Sequence, residues 1–232
     1  MSRLLRVYKS SIGSKSVMAI TGLMLFLFLL GHLAGNALIY KGRDAINSYA
    51  KGLHDLGPIL WVIRAGLLGV FVAHVATAIR LNHGNKEARP IPYARDDTLK
   101  ASWASRYMML TGMVVLAFVV YHLLHFTFNQ FAPAEVPMET LADGTVRKDV
   151  YAMVVMGFRS PLVSVSYFAA HALLLLHLLH GAASMTQTLG WNHESLRWPL
   201  KKGLPALAVV IVLGKVSIPL TILLGLVGGD VS

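Results

Sequence analysis

Five stretches of this chain are each long and apolar enough to cross a hydrocarbon layer as a helix, and that constrains the fold more than any other feature. They run roughly Val17–Tyr40, Pro58–Leu81, Arg106–Gln130, Ser160–Thr188 and Leu204–Val227. About 20 apolar residues in helix span a bilayer core, and none of these runs alternates as a barrel strand does. The chain is 55% hydrophobic and only 14% charged, too little charge to cover a soluble domain of 232 residues. The expected fold is an all-α membrane protein: one domain, residues 1–232, of five transmembrane helices in a bundle with short connections. The basic N-terminus precedes an apolar run too long for a signal sequence and without a small-residue cleavage site, so that run reads as the first helix.

The net charge of +10 reflects topology rather than nucleic acid. Thirteen Lys and Arg residues fall in the N-terminus and the second and fourth connections, against six in the first and third. The positive-inside rule then places the N-terminus in the cytoplasm and the C-terminus outside. That basic face suits lipid headgroups and an acidic or soluble partner. There is no cysteine, so disulfides, zinc thiolates and iron–sulfur clusters held by this chain are excluded.

Two of the apolar runs carry the same pattern. Thr21–His32 reads TGLMLFLFLLGH and Thr111–His122 reads TGMVVLAFVVYH, each a Thr-Gly pair separated from a histidine by nine residues. Histidine is costly in lipid and marks functional sites there. At about 1.5 Å per residue, His32 lies about 22 Å along the first helix and His122 about 24 Å along the third, both in the outer half. His74 and His180 fall in the inner half of the second and fourth helices. The expectation is two pairs, His32 with His122 and His74 with His180. Two imidazoles from different helices suit the axial positions of a haem iron, and small residues near them (Gly31, Ala34 and Gly35; Ala73 and Ala76; Gly181 to Ser184) leave room for a macrocycle. Small residues also serve ordinary helix packing.

Other histidines compete. His125 and His177 each lie three residues from a chosen histidine, about 60° round the helix. The repeat favours His122 over His125, and the small residues after His180 favour it over His177. His171 reads as structural, and His54, His83 and His193 as loop residues. Lying three turns from the histidines on their own helices, Thr21 and Thr111 are expected to pack helix starts or to contact an inner propionate.

These residues resemble a known family. FLFLLGHLAGN, FVAHVATAIR, TGMVVLAFVVYH and LLHGAASMTQTLGW resemble the haem-bearing helices of the dihaem cytochrome b anchor of succinate dehydrogenases and fumarate reductases, in its single five-helix form. The resemblance covers helices one to four; helix five matches by position and hydrophobicity. It implies a multi-pass protein of a bacterial cytoplasmic membrane that carries two b haems. Electrons would pass between an iron–sulfur subunit, itself bound to a flavoprotein, and membrane quinone, with menaquinone the expected type. The resemblance also places docking on the basic face, at Lys15, Trp103, Arg106 and Trp191–Trp198.

In that setting Arg64 is a candidate partner for an outer-haem propionate, with snorkelling toward the interface the alternative. Lys215, midway along helix five, is another candidate for a propionate or a polar backbone site. His54, Asp55, Arg64 and His125 are quinone-site candidates, His54 and Asp55 as donor and relay. Two rival readings are the cytochrome of another respiratory oxidoreductase and a histidine-lined proton or metal transporter. The first is disfavoured by one chosen histidine on each of four helices. The second predicts membrane carboxylates, whereas all eleven acidic residues fall in loops or termini.

Overall fold

Proline opens two of the long helices and glycine closes two, as their backbone chemistry favours. The computed structural model of the protein describes residues 10–88, 103–131, 136–191 and 193–231, the side chains of 103, 104 and 197 excepted. Helix α1 spans Ser11–Asn36 and continues as a 3₁₀ turn, Ala37–Lys41; α2 is Arg43–Asp55 and α3 Pro58–Glu87. A single turn, α4 (Trp103–Arg106), precedes α5 (Met108–His122), which runs into a π turn over Leu123–Thr127. A hairpin of β1 (Met138–Thr140) and β2 (Val146–Lys148) is followed by α6 (Val150–Phe158), α7 (Pro161–Thr188) and α8 (Glu194–Leu223). Five of these segments are long and apolar enough to cross a membrane: Ser11–Lys41, Pro58–Glu87, Met108–Thr127, Pro161–Thr188 and Glu194–Leu223. The chain is therefore a helical protein of multi-pass character.

Helix ends follow local chemistry. Gly190 and Gly225 adopt φ of 72° and 70°. The amide after each reaches back five residues, from Trp191 to the Thr186 carbonyl and from Leu226 to that of Thr221. Both are Schellman closures, where a Cβ would be strained. Helix α8 starts ten residues before the expected Leu204, because Pro199 and Pro205 do not break it. Prolines are tolerated in such helices when neighbouring groups satisfy the freed carbonyls.

Burial is inverted relative to a soluble protein. On α3 the only fully buried residue is Thr77, whereas Trp61 and Val62 are 68% and 72% exposed. Such a surface is suited to lipid.

The chain divides into two units, and all five long helices contribute to each. Unit one comprises Met1–Phe28, Ile63–Gly112 and Leu176–Ala208; unit two comprises Leu29–Val62, Met113–Leu175 and Val209–Ser232. The connections in unit two are more than the short loops expected. Arg147 on β2 is held by Glu139 (2.8 Å), Asp44 (2.8 Å) and Ser48 (2.8 Å), tying the hairpin to α2. Asn47, fully buried on α2, donates to Glu139 and Asp149 at 2.9 Å each and accepts from the Tyr151 amide at 3.0 Å. Asp149 caps α6 by accepting from the Ala152 amide at 3.0 Å. Beneath this network Ile39, Ile46, Val155, Phe158 and Ile218 form the apolar core of the unit.

Arg147's hydrogen bonds hold the Asp44 and Glu139 carboxyls below their usual range, and those partners raise the Arg147 guanidinium above its own. A carboxylate whose folded value is depressed adds stability above its ordinary value, and that stability is lost as pH falls through the folded value. The hairpin and the start of α6 are therefore expected to keep their hydrogen-exchange protection down to about pH 4 and to lose it on further acidification. Protection unchanged well below that pH contradicts the assignment.

Candidate functional site

Each unit encloses one pair of histidines. In unit one the rings of His74 (α3) and His177 (α7) face each other with centres 6.5 Å apart and planes at 66°. His180, expected opposite His74, is not its ring partner. The histidine one turn earlier on α7 occupies that place, and His180 lies beside it, half-buried.

The Thr-Gly pairs explain how this site is built, and in a way the sequence reading missed. Thr21 Oγ1 lies 3.1 Å from His74 Nδ1, and Thr111 Oγ1 lies 3.5 Å from His177 Nδ1. Each threonine has a single hydroxyl proton and gives it to a carbonyl of its own helix, Val17 at 2.7 Å and Met108 at 3.0 Å. Toward the imidazole each oxygen is then left as an acceptor, an arrangement that favours a ring proton on Nδ1 and a lone pair on Nε2. The glycines that follow lie against the rings: a Cβ on Gly22 or Gly112 would sit 3.4 Å from Cε1 of His74 or His177, in ordinary contact. The repeat thus serves two ends. Its Thr-Gly half supports the histidines of α3 and α7, and its own histidines form the other pair.

In unit two the rings of His32 (α1) and His122 (α5) have centres 5.8 Å apart and planes at 83°. Their surroundings differ from those in unit one. Lys215 Nζ on α8, 9% exposed, is 2.7 Å from His32 Nδ1, and the Asn36 amide is 3.2 Å from the same atom. As a neutral amine Lys215 accepts an Nδ1 proton; as an ammonium it donates to Nδ1. His122 Nδ1 lies 3.2 Å from the Tyr167 hydroxyl, which also lies 3.1 Å from His125 Nδ1. His171 Nδ1 donates to the Tyr167 carbonyl at 2.8 Å, which satisfies it as a structural residue.

Both spacings fit two imidazoles on opposite sides of one metal. A metal–nitrogen bond of about 2.0–2.1 Å and about 1.1 Å from nitrogen to ring centre place such rings roughly 6.3 Å apart. Among the described residues no group of three or more His, Cys, Asp or Glu side chains is gathered to hold a metal ion. Each pair by itself offers two imidazoles at about the separation that two ligands on opposite sides of one metal would have. The pair in unit one fits in spacing and in tautomer, with an acceptor behind each ring as metal-bound histidines require. The pair in unit two fits in spacing, and at His122 in having a hydroxyl behind the ring.

The other expected site residues are less well gathered. His54 and Asp55 are exposed at the end of α2, with Asp55 paired to Lys51 at 2.6 Å, and Arg64 is exposed on α3 in unit one. His125 by contrast is 1% exposed, stacked on Phe126 at 4.0 Å. Burial separates it from the other quinone-site candidates. Of the expected docking face, the Trp103 side chain and Asn192 lie outside the described residues, as do the first nine residues and 89–102, which carry much of the basic charge. The described part includes Lys202 over the exposed Trp198 ring at 4.1 Å. Unit one also holds a cavity of about 560 Å³ lined by Ala182, Thr186, Gln187, Trp191 and Lys201, beginning one and a half turns after His177.

No family model, no curated protein and no solved structure matches the chain.

The tautomer assignment is testable in selectively labelled protein. Side-chain ¹⁵N shifts are expected to place the protons of His74 and His177 on Nδ1. Thr21→Val should release His74 from that state and leave His177 as it was. A wild-type His74 protonated on Nε2 contradicts the arrangement.

Proposed function

We propose that the chain is a dihaem cytochrome b membrane anchor that passes electrons between an iron–sulfur subunit and membrane quinone. The enzyme it would serve is of the succinate dehydrogenase or fumarate reductase type. The observation that carries the reading is the pair of imidazole rings in each unit at bis-axial spacing, with a threonine hydroxyl beside Nδ1 of each ring in unit one. The four resembling segments add the enzyme type, the partners and the quinone, menaquinone being the expected one.

Haem b, when bound, would supply one-electron carriage at its iron. The residues hold and tune it. His74 and His177 would bind one group and His32 and His122 the other. Thr21 and Thr111 orient the first pair and raise the basicity of its Nε2 atoms by accepting from Nδ1. Lys215 brings a cation, or its neutral amine, to the second pair and is a natural partner for an anionic propionate. Arg64, exposed on α3, is the weaker of the two propionate candidates. The apolar helix surfaces exclude water from both pairs, which keeps the local dielectric low and strengthens each polar contact.

The basic connections favour a cytoplasmic N-terminus. In that orientation the basic side, with Trp198 and Lys202, would meet the iron–sulfur subunit, and His54 and Asp55 would lie at the opposite side where quinone and protons exchange.

Pyridine haemochrome quantitation on the detergent-purified full chain or its complex tests this. Two b haems per chain are expected. His32→Ala and His177→Ala should each remove one, a different one in each case, while His180→Ala keeps both. Thr21→Val should weaken retention at His74 about 10-fold. No haem in well-folded protein overturns the reading.

A further inference from the structure

One hydroxyl in unit two is shared by two histidines. Tyr167, 3% exposed on α7, places its oxygen 3.2 Å from His122 Nδ1 and 3.1 Å from His125 Nδ1. A phenol has one proton to give, so it can donate to only one of these nitrogens and must accept from the other. A histidine that coordinates through Nε2 carries its proton on Nδ1. If His122 is such a ligand, the direction of the chain is set: His122 Nδ1–H donates to the tyrosine oxygen, and the tyrosine donates to His125 Nδ1.

The local backbone supports this arrangement. The α-helix of α5 ends at His122 and the next five residues form a π turn, closed by the Phe128 amide on the Leu123 carbonyl at 2.9 Å. Single π turns inside helices gather at functional sites, and this one begins directly after His122 and contains His125. His125 is then locked in place. It stacks on Phe126 and meets the Phe158 ring edge-on at 6.4 Å. A Cβ on Gly157 would come within 3.1 Å of its Nε2, so helix α6 approaches it closely. A polar group so enclosed costs stability unless it is hydrogen-bonded, and the tyrosine meets that need.

We propose that Tyr167 is a positioning residue for the haem ligand His122, and that His125 acts on that ligand only through Tyr167. This rests on the functional reading above. Donating to His125 polarises the tyrosine and makes its oxygen a better acceptor for His122. The two bonds thereby raise the basicity of His122 and favour the oxidised metal. Neither His122 nor its counterpart His177 could be exchanged for the other, since one is supported by a tyrosine–histidine chain and the other by a threonine bonded to its own helix.

The test is a redox titration followed in the haem absorption bands, with low-temperature electron paramagnetic resonance of the oxidised form. It is made on the purified complex of wild type, Tyr167→Phe, His125→Leu and the double variant. Wild type is measured first: absence of haem there removes the functional reading and the inference with it. With two haems present, Tyr167→Phe is expected to raise the midpoint potential and alter the resonance of one haem, the one lost in His122→Ala. His125→Leu should shift the same haem in the same direction but less, and should add nothing in the Tyr167→Phe background. Unchanged potentials and resonances in Tyr167→Phe overturn the proposal, as do additive shifts in the double variant. If Tyr167→Phe instead loses a haem, loss of the His122 haem supports the inference and loss of the other overturns it.

Discussion

A threonine hydroxyl has one proton, and inside an apolar helix the carbonyl a turn earlier claims it. That small constraint decides the chemistry of the site in unit one. Because Thr21 and Thr111 spend their protons on Val17 and Met108, whatever faces them must donate, and what faces them are the Nδ1 atoms of His74 and His177. The lone pairs are left on Nε2, in rings whose centres are 6.5 Å apart. Under the proposed reading those lone pairs would be two ligands of one metal. Hydrogen bonds that would be minor at a water-exposed surface become directive where no solvent competes.

The two pairs are alike in spacing and different in support. In unit one both rings rest on hydroxyls whose own bonds are to the backbone. In unit two His32 faces an amine and an amide, and His122 faces a phenol shared with a second histidine. Under the proposed reading, equal ligands in unequal surroundings would give two carriers different potentials, because hydrogen bonding behind a ligand and nearby charge are among the levers a protein has. The mixed hydrogen-bonded cap of α2, the hairpin and α6 closes unit two with a buried asparagine and an arginine held by two carboxylates.

Much of this was legible in the amino-acid order, and the limits have physical causes. Five apolar runs marked the five long helices, since nothing but a helix or a closed barrel satisfies backbone groups in hydrocarbon. Depth along a helix, counted at a fixed rise, brought His32 and His122 to one level, and the structure has them side by side. Depth alone could not separate His177 from His180, which differ by three residues and about 60° of azimuth. The small residues after His180 point to it, whereas the ring paired with that of His74 is His177; in membranes such residues also mark helix contacts. Thr21 and Thr111 lie three turns from the histidine on their own helix, which leaves them to helix packing or an inner propionate. Their partners lie on α3 and α7, a relation between helices that spacing within one helix does not contain. Lys215 was visible as an oddity, its neighbour His32 was not. The hairpin and α6 were taken for connection because three-residue strands and a nine-residue helix carry little periodicity.

The central claim, that facing histidines hold each of two metals from both sides, is met most directly by near-infrared magnetic circular dichroism of the oxidised full-length protein, which reads the axial ligand pair of a low-spin ferric haem. The account predicts bis-imidazole coordination at both haems and no other ligand type. A methionine, lysine or water ligand at either haem, or no low-spin haem in well-folded protein, contradicts it.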